Sequence, residues 1–490
     1  MRGNSTEKRL VSNAAVIAVG AFAAKVIGAF YRIPLTNLLG SAGLGLYQMV
    51  FPVYCILLDF AGAGLPCGLS KLVSENNAEG RGAANASLLR SSLLMMLAAG
   101  TLASLAMFAL ARPVSALQGN AEAYKSYMTL APAVLLVALL SCFRGYFQGY
   151  EKMSPTALSQ LTEQIVKLGA GLLFVKFLMP DAANAAAGAA LAVTFSEAAA
   201  LFQLVVTYRI YRKKGAFLPL APLACAAESG AAAAERSSPA KPRFWGDVKG
   251  ILKICLPVTL VGIALPVSQM IDSFLIINLL GKYAENATSL YGLFSGGVQS
   301  VLSLPVSVCY GIAVAAVPLI SGVSKKDKGG GAKYAYFAVA LTGAFSLVMA
   351  AGCFLLPDFI VRVLFFSLSA GEKAVVVKLL KLTAPCIVFM SVLQTVNSVL
   401  IGKSRPYAPL FGLGAGVLVK TVLEIFLLPV PDLNIFAAAI SLCACYLVAV
   451  FINLLYIIRV YKNKGGTLLT EEKPHEDKRK LTRKYKADCS

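Results

Sequence analysis

The sequence holds a single histidine, His475, in a polar stretch. Ser-His-Asp triads, Cys-His dyads and histidine proton relays are therefore excluded. Charge is scarce: 14% of residues are Asp, Glu, Lys or Arg, against about 25% in ordinary soluble domains. No C-x-x-C pair occurs among the eleven cysteines, which removes zinc-ribbon and thioredoxin-type chemistry. Only Cys225 and Cys489 fall in polar segments; the others sit in apolar stretches and read as small core hydrophobes. No nucleophile–base constellation is visible, so the chain is not read as an enzyme. Apolar residues are what it has in abundance, 58% of the 490, with a mean hydropathy of +0.72. A secreted disulfide scaffold, a disordered chain and an ordinary cytosolic enzyme are all excluded. The composition is that of an all-α polytopic membrane protein.

A hydrocarbon core of about 30 Å needs about 20 apolar residues per helix. That window predicts twelve spans, near 10–33, 43–73, 83–112, 121–147, 154–178, 184–212, 247–279, 288–323, 329–357, 373–402, 405–429 and 433–461. The first run is too long for a signal-peptide core and is expected to stay as a helix. The runs do not alternate as barrel strands do, so helices are the expected spanning element. With the N-terminus placed in the cytoplasm, 33 of the 45 Lys and Arg fall on that side and 9 on the other. Three more, Lys25, Lys167 and Lys420, fall inside spans. This bias predicts cytoplasmic N- and C-termini in a cell membrane. The net charge of +21 then describes topology and contact with anionic lipid, not nucleic acid.

Residues 213–246, with Pro219, Pro222, Pro239 and Pro242, read as a cytoplasmic linker. It ends in an expected interfacial segment around the only tryptophan, Trp245. The predicted organisation is an N-terminal six-helix lobe (1–212), the linker, a C-terminal six-helix lobe (247–461) and a basic tail (462–490). The halves repeat one another. Asn37-Leu-Leu-Gly40 matches Asn278-Leu-Leu-Gly281. At a constant offset of 253, Ala131-Pro132, Gly149 and Lys167 match Ala384-Pro385, Gly402 and Lys420. Six spans per repeat give parallel repeats about an axis along the membrane normal, a transporter architecture with a central site.

Charges near the bilayer centre are costly and face cavities or each other. Lys25 and Arg32 are seven apart on one face of the first span, Asp59 is mid-span in the second, and Asp272 lies in the seventh. These four are the candidate substrate-binding residues. Glu163 with Lys167, and Lys420 with Glu424, are each four apart and are expected to pair along their own helices. Together with Glu197 of the sixth span they are candidate coupling or structural charges. Gly62, Gly64, Pro66, Pro257, Pro266 and Pro305 interrupt the spans, either as bending points around the site or as ordinary close packing.

Two stretches carry a resemblance. They are Gly28-Ala-Phe-Tyr-Arg-Ile-Pro-Leu-Thr-Asn-Leu-Leu-Gly40 and Phe143-Arg-Gly-Tyr-Phe-Gln-Gly-Tyr-Glu-Lys-Met-Ser-Pro-Thr-Ala157, the latter continuing through Ser159-Gln160 and Glu163-Gln164. Both are similar to polysaccharide-biosynthesis membrane proteins of the stage V sporulation protein B type. That group resembles the MurJ-type lipid II flippases of the multidrug/oligosaccharidyl-lipid/polysaccharide exporter superfamily. The resemblance implies a V of two six-helix lobes, a cationic cavity for a diphosphate-linked sugar, and alternating access. By the same resemblance Arg32 lies one position from a first-span arginine, Lys25 matches a nearby basic position, and Asp272 matches a seventh-span acid. Asp59 lies in a region of the second span where MurJ-type proteins carry arginine. Those proteins also add two C-terminal helices forming a lipid groove, whereas the spans here end near 461.

The leading expectation is a flippase for an undecaprenyl-diphosphate-linked cell-wall precursor, lipid II or a related lipid-linked oligosaccharide, serving peptidoglycan, polysaccharide or spore-cortex biosynthesis. Its partners would be that substrate, membrane lipids and cell-wall synthesis enzymes. No cofactor is expected beyond Na+ or H+ coupling and the membrane potential. Two alternatives stand beside it. A cation-coupled MATE-type multidrug exporter would need an acidic cavity, and a non-transporting scaffold for cell-wall enzymes would need a folded extramembrane domain.

Overall fold

The computed structural model describes the backbone of residues 3–62, 64–215, 217, 244–309, 330–402 and 408–462. The linker residues 218–243, the tail from 463 and the side chains of Lys25, Trp245 and Pro257 lie outside the described residues. No strand occurs among the described residues. In hydrocarbon a backbone must satisfy its own polar groups, and a helix does so within one segment.

The N-terminal half comprises α1 (Gly3–Gly62), α2 (Leu65–Ala78), α3 (Asn85–Leu117), α4 (Tyr124–Gly149), α5 (Ser154–Leu178) and α6 (Ala182–Lys213). The C-terminal half comprises α7 (Phe244–Leu280), α8 (Ala287–Cys309, with a π-helical stretch over Gly292–Val298), α9 (Gly330–Leu355), α10 (Pro357–Leu364), α11 (Ala370–Gly402), α12 (Ala408–Leu427) and α13 (Phe436–Lys462).

Ten helical segments are long and apolar enough to cross a membrane. One of them, Val26–Ala78, carries two of the predicted spans, because α1 kinks at Gly40, where φ is +64°. That left-handed conformation favours glycine. The predicted fifth span, α5, has the length at 25 residues but lacks the hydropathy, since Gln160, Glu163, Gln164 and Lys167 interrupt it. The predicted spans are thus found as helices among the described residues, except that residues 310–323 of the eighth lie outside them. The predicted break at Gly62–Pro66 is also present: α1 ends at Gly62 and α2 starts at Leu65, with Pro66 in its first turn, where a missing N–H costs nothing.

Sequence sets the other helix ends in recognisable ways. The Asp181 carboxylate accepts from the Ala183 amide at 2.9 Å and caps α6. Ser369 and Glu372 form a reciprocal capping box at the start of α11, with the Ser369 amide 2.9 Å from Glu372 Oε2 and the Glu372 amide 3.3 Å from Ser369 Oγ.

Within the first half α4 is central, packing on α2, α3 and α6, while α5 packs between α1 and α6. In the second half α11 packs on α9 and α13, and α12 lies against α13 and α7. Outward faces carry large apolar side chains such as Leu102, Phe177 and Phe337, as a lipid-facing surface requires.

The halves meet along α1, which touches α7 and α8, and along α3 on α7. Hydrogen bonds gather at one end of this seam. Asn37 Nδ2 donates to the Leu364 carbonyl at 2.7 Å, and Ser367 Oγ donates to the Asn37 carbonyl at 2.7 Å. The repeat-related Asn278 donates to the Leu117 carbonyl at 2.9 Å. Gln118 Nε2 reaches Ser273 Oγ at 2.9 Å, and Asn120 reaches Thr288 Oγ1 at 3.0 Å. Gly45 lets the backbones close here, because any Cβ would strike the Thr288 carbonyl oxygen. The two matched asparagines therefore do matching work, each hooking the other half's interhelix turn.

Candidate functional site: a cationic cavity on the first half

A cavity of about 510 Å³ opens between α1, α4 and α5 on one side and α8 on the other. Its charged lining is Arg32, Arg144, Glu163 and Lys167. Tyr31, Tyr47 and Phe51 supply aromatic surface, and Ser303 and Ser307 face them from α8. Arg32 is exposed to this space and donates from Nη1 to Ser300 Oγ at 3.4 Å. The seam's hydrogen-bonding residues Asn37, Gln118, Asn120 and Asn278 are not part of its lining.

Arg144 comes from α4 and meets α5. Its Nε donates to Ser159 Oγ at 3.0 Å, and its Nη2 lies 3.1 Å from Glu163 Oε2. The second Glu163 oxygen accepts from Gln164 Nε2 at 2.9 Å. Glu163 thus pairs across helices with Arg144 and not along its own helix with Lys167, which corrects the i,i+4 expectation. Lys167 has no ion pair within 4 Å among the described residues, though the Glu163 and Glu197 carboxylates and Arg32 lie near enough to act on it electrostatically. Glu197, a candidate coupling or structural charge, is buried near this group with Oε2 unpartnered.

In the second half the matching lysine has another fate. Lys420 is buried in an ion pair with Asp272 and also donates to Ser268 Oγ at 3.2 Å. Glu424 is wholly buried one turn away, with its carboxyl group within hydrogen-bonding reach of Asp272. Lys420 therefore pairs with α7 rather than with Glu424 on its own helix, a second correction. Asp272 is not on the cavity wall. Its binding expectation is replaced by an interior pair, because the seventh span turns that face into its own helix set. The register explains this. Counting back 241 residues from Asp272, the shift that relates Asn278 to Asn37, gives Tyr31, not Arg32. Counting back 253 from Glu424 gives Gly171, which packs against the Tyr31 hydroxyl. The same three-point constellation thus holds Asp272, Glu424 and Lys420 in one half and Tyr31, Gly171 and Lys167 in the other.

Asp59 is half-buried beside Gly262 of α7 and does not line the cavity. It makes no ion pair within 4 Å among the described residues. Its place among the binding residues is corrected accordingly. Arg144 was legible only as part of the Phe143–Ala157 motif; near the end of a span it reads as a loop-flanking cation.

The family described as polysaccharide biosynthesis protein matches residues 10–324. This chain belongs to that family. Among its relatives, stage V sporulation protein B of Bacillus subtilis (strain 168) is 26% identical over 437 residues, 85% of this chain and 77% of that protein. Lipid II flippase MurJ of the same organism is 27% identical over 330 residues, 64% of this chain and 58% of that protein. The fold is similar to that of an inward-facing multidrug resistance MATE family transporter of the MOP superfamily. The TM-score is 0.74 at 14% identity, over 91% of this chain and 96% of that one. With ten helical segments long and apolar enough to span a bilayer, this member of the family is a multi-pass membrane protein. Among its described residues no cluster of three or more His, Cys, Asp or Glu could hold a metal ion.

Proposed function

We propose that the chain is a flippase for an undecaprenyl-diphosphate-linked cell-wall precursor, moving the headgroup from inner to outer leaflet by alternating access. The observation that carries this reading is the sign of the cavity: among the described residues, Arg32, Arg144 and Lys167 line it against Glu163. Guanidinium and ammonium groups are suited to phosphate, the former through paired N–H donors. At about 510 Å³ the space is that of a small-molecule site. It suits a diphosphate with its adjoining sugar, while the polyprenyl chain stays in the bilayer. A drug exporter driven by an acidic cavity would need the opposite sign of lining charge.

The bias of basic residues orients the hydrogen-bonded end of the seam toward the outside, and on this reading the cavity faces inward. A diphosphate of charge about −2 neutralises the net two positive charges of the lining. The emptied, cationic cavity is then drawn back by an inside-negative potential, at about 2.3 kcal/mol per charge per 100 mV. Asp272, Lys420 and Glu424 lie outside this exchange and would take up a coupling proton or cation if transport uses one.

The test is rescue of a bacterium depleted of its own lipid II flippase, with precursor exposure at the outer face assayed in parallel. Growth with restored exposure is expected, and both should be lost in Arg32→Ala and Lys167→Ala at normal membrane levels. A correctly inserted protein that restores neither overturns lipid II as the substrate. Full activity in both variants overturns the cationic site.

A further inference from the structure

The three cavity cations are not equivalent. Arg32 has only a 3.4 Å contact to a serine hydroxyl, and Lys167 has no ion pair among the described residues. Arg144 alone is already engaged with an anion, the Glu163 carboxylate at 3.1 Å. This pair is not sealed: the two side chains keep 15% and 16% exposure and both line the cavity. Each member is also held in aim by a neutral neighbour, Ser159 on Arg144 and Gln164 on Glu163. Lys167 stands four residues from Glu163 on α5, about 6 Å along the helix axis and on the same face.

We infer that Glu163 is an internal competitor for the substrate's phosphate. In the empty cavity it occupies Arg144. When an anionic headgroup enters, its phosphate oxygens take Arg144, and Glu163 swings to the unpaired Lys167. This rests on the proposed reading of the cavity as an anion site. A carboxylate and a phosphate use the same guanidinium N–H donors, so one can replace the other without leaving Arg144 unpaired. Lys167 keeps the displaced carboxylate from being stranded in a partly dehydrated wall, where an unpaired charge is costly. After transport the competition runs in reverse, with Glu163 returning to Arg144 and weakening the hold on the headgroup. The second half lacks the device. The position 253 residues beyond Glu163 is Gly416, and Lys420 there is committed to Asp272.

The experiment uses the full-length protein in lipid nanodiscs, with farnesyl diphosphate as the probe and calorimetric titration as the readout. Removing the competitor in Glu163→Gln should tighten binding by about tenfold, and Arg144→Gln should weaken it by about tenfold, the scale of one charge-assisted hydrogen bond. The decisive comparison is the double variant. If Glu163 acts by occupying Arg144, Glu163→Gln gains nothing in an Arg144→Gln background. If it acts merely as a nearby negative charge, the gain persists there and the exchange is overturned. Equal or weaker binding by Glu163→Gln at an unchanged melting temperature overturns it as well. Should that variant fail to fold, Glu163→Asp takes its place: one methylene shorter, it should bind severalfold more tightly than wild type, and no gain counts against the exchange. Wild-type protein that binds no diphosphate lipid at all sinks the anion-site reading itself, a result distinct from wild-type binding without a gain in the variants.

Discussion

Removing the ammonium of Lys420 is the most telling perturbation of the second half. Its side chain is 4% exposed and that of Asp272 7%, and Glu424 is fully buried beside them. Two carboxyl groups thus share one cation in the helix-set interior. Lys420→Met strips that cation from both, and breaking a buried pair in this way costs about 3–5 kcal/mol. Asp272→Asn is milder, because Lys420 keeps Glu424 one turn away on its own helix; the loss is then about 2 kcal/mol, the scale of a hydrogen bond to a charged group. Combining the two removes one orphaned acid, so Lys420→Met with Asp272→Asn should cost less than the sum, with a coupling of at least about 1 kcal/mol. Adding Glu424→Gln should return stability to near wild type, since an all-neutral set leaves no unpaired charge. The assay is equilibrium unfolding in mixed micelles of rising dodecyl sulfate fraction, followed by helical circular dichroism. A Lys420→Met cost below about 1 kcal/mol, or a larger loss from Asp272→Asn than from Lys420→Met, would refute the one-cation, two-acid account.

Other outcomes follow from the seam and from the linker's start. Asn37→Cys with Ser367→Cys should form a disulfide on oxidation, abolish transport while oxidised and recover it on reduction, because those residues tie the two halves together at one end of the seam; transport unaffected by the cross-link would show that this end need not open. Gly45→Val should destabilise the closed seam by about 1–3 kcal/mol through overpacking against Thr288, read as faster labelling of a cysteine at Ser367 by a membrane-impermeant maleimide. Phe217 packs among Tyr146, Phe147, Tyr150, Tyr208 and Tyr211, with Lys152 Nζ 4.9 Å over its ring. Phe217→Ala should therefore lower the melting temperature and speed proteolysis in the linker, while a conservative Phe217→Tyr leaves both unchanged.

The twelve spans were legible because hydrocarbon imposes one length and one hydrogen-bonding solution on every crossing segment, and apolar runs of that length are visible in the chain itself. The α5 helix shows the limit of hydropathy: its polar face is cavity wall, so the property that makes it functional also makes it a weak span. The repeat was legible too, since Asn37 and Asn278 keep both their spacing and their task. The lysine match was read correctly as a register and gave no guide to role, because Lys167 faces open space while Lys420 is enclosed by acids from two helices.

By itself, then, the sequence determined an α-helical membrane protein of two related halves, with Arg32 and Lys167 as cations placed within spans. Those features depend on length, hydropathy and spacing, which are properties of single segments. Only the tertiary structure decided which charges meet. Arg144 finds Glu163 because α4 and α5 are adjacent, Asp272 finds Lys420 because α7 lies on α12, and Asp59 meets neither group. Ion pairing falls off within a few ångströms, and that distance is set between helices, where no pattern along one chain records it.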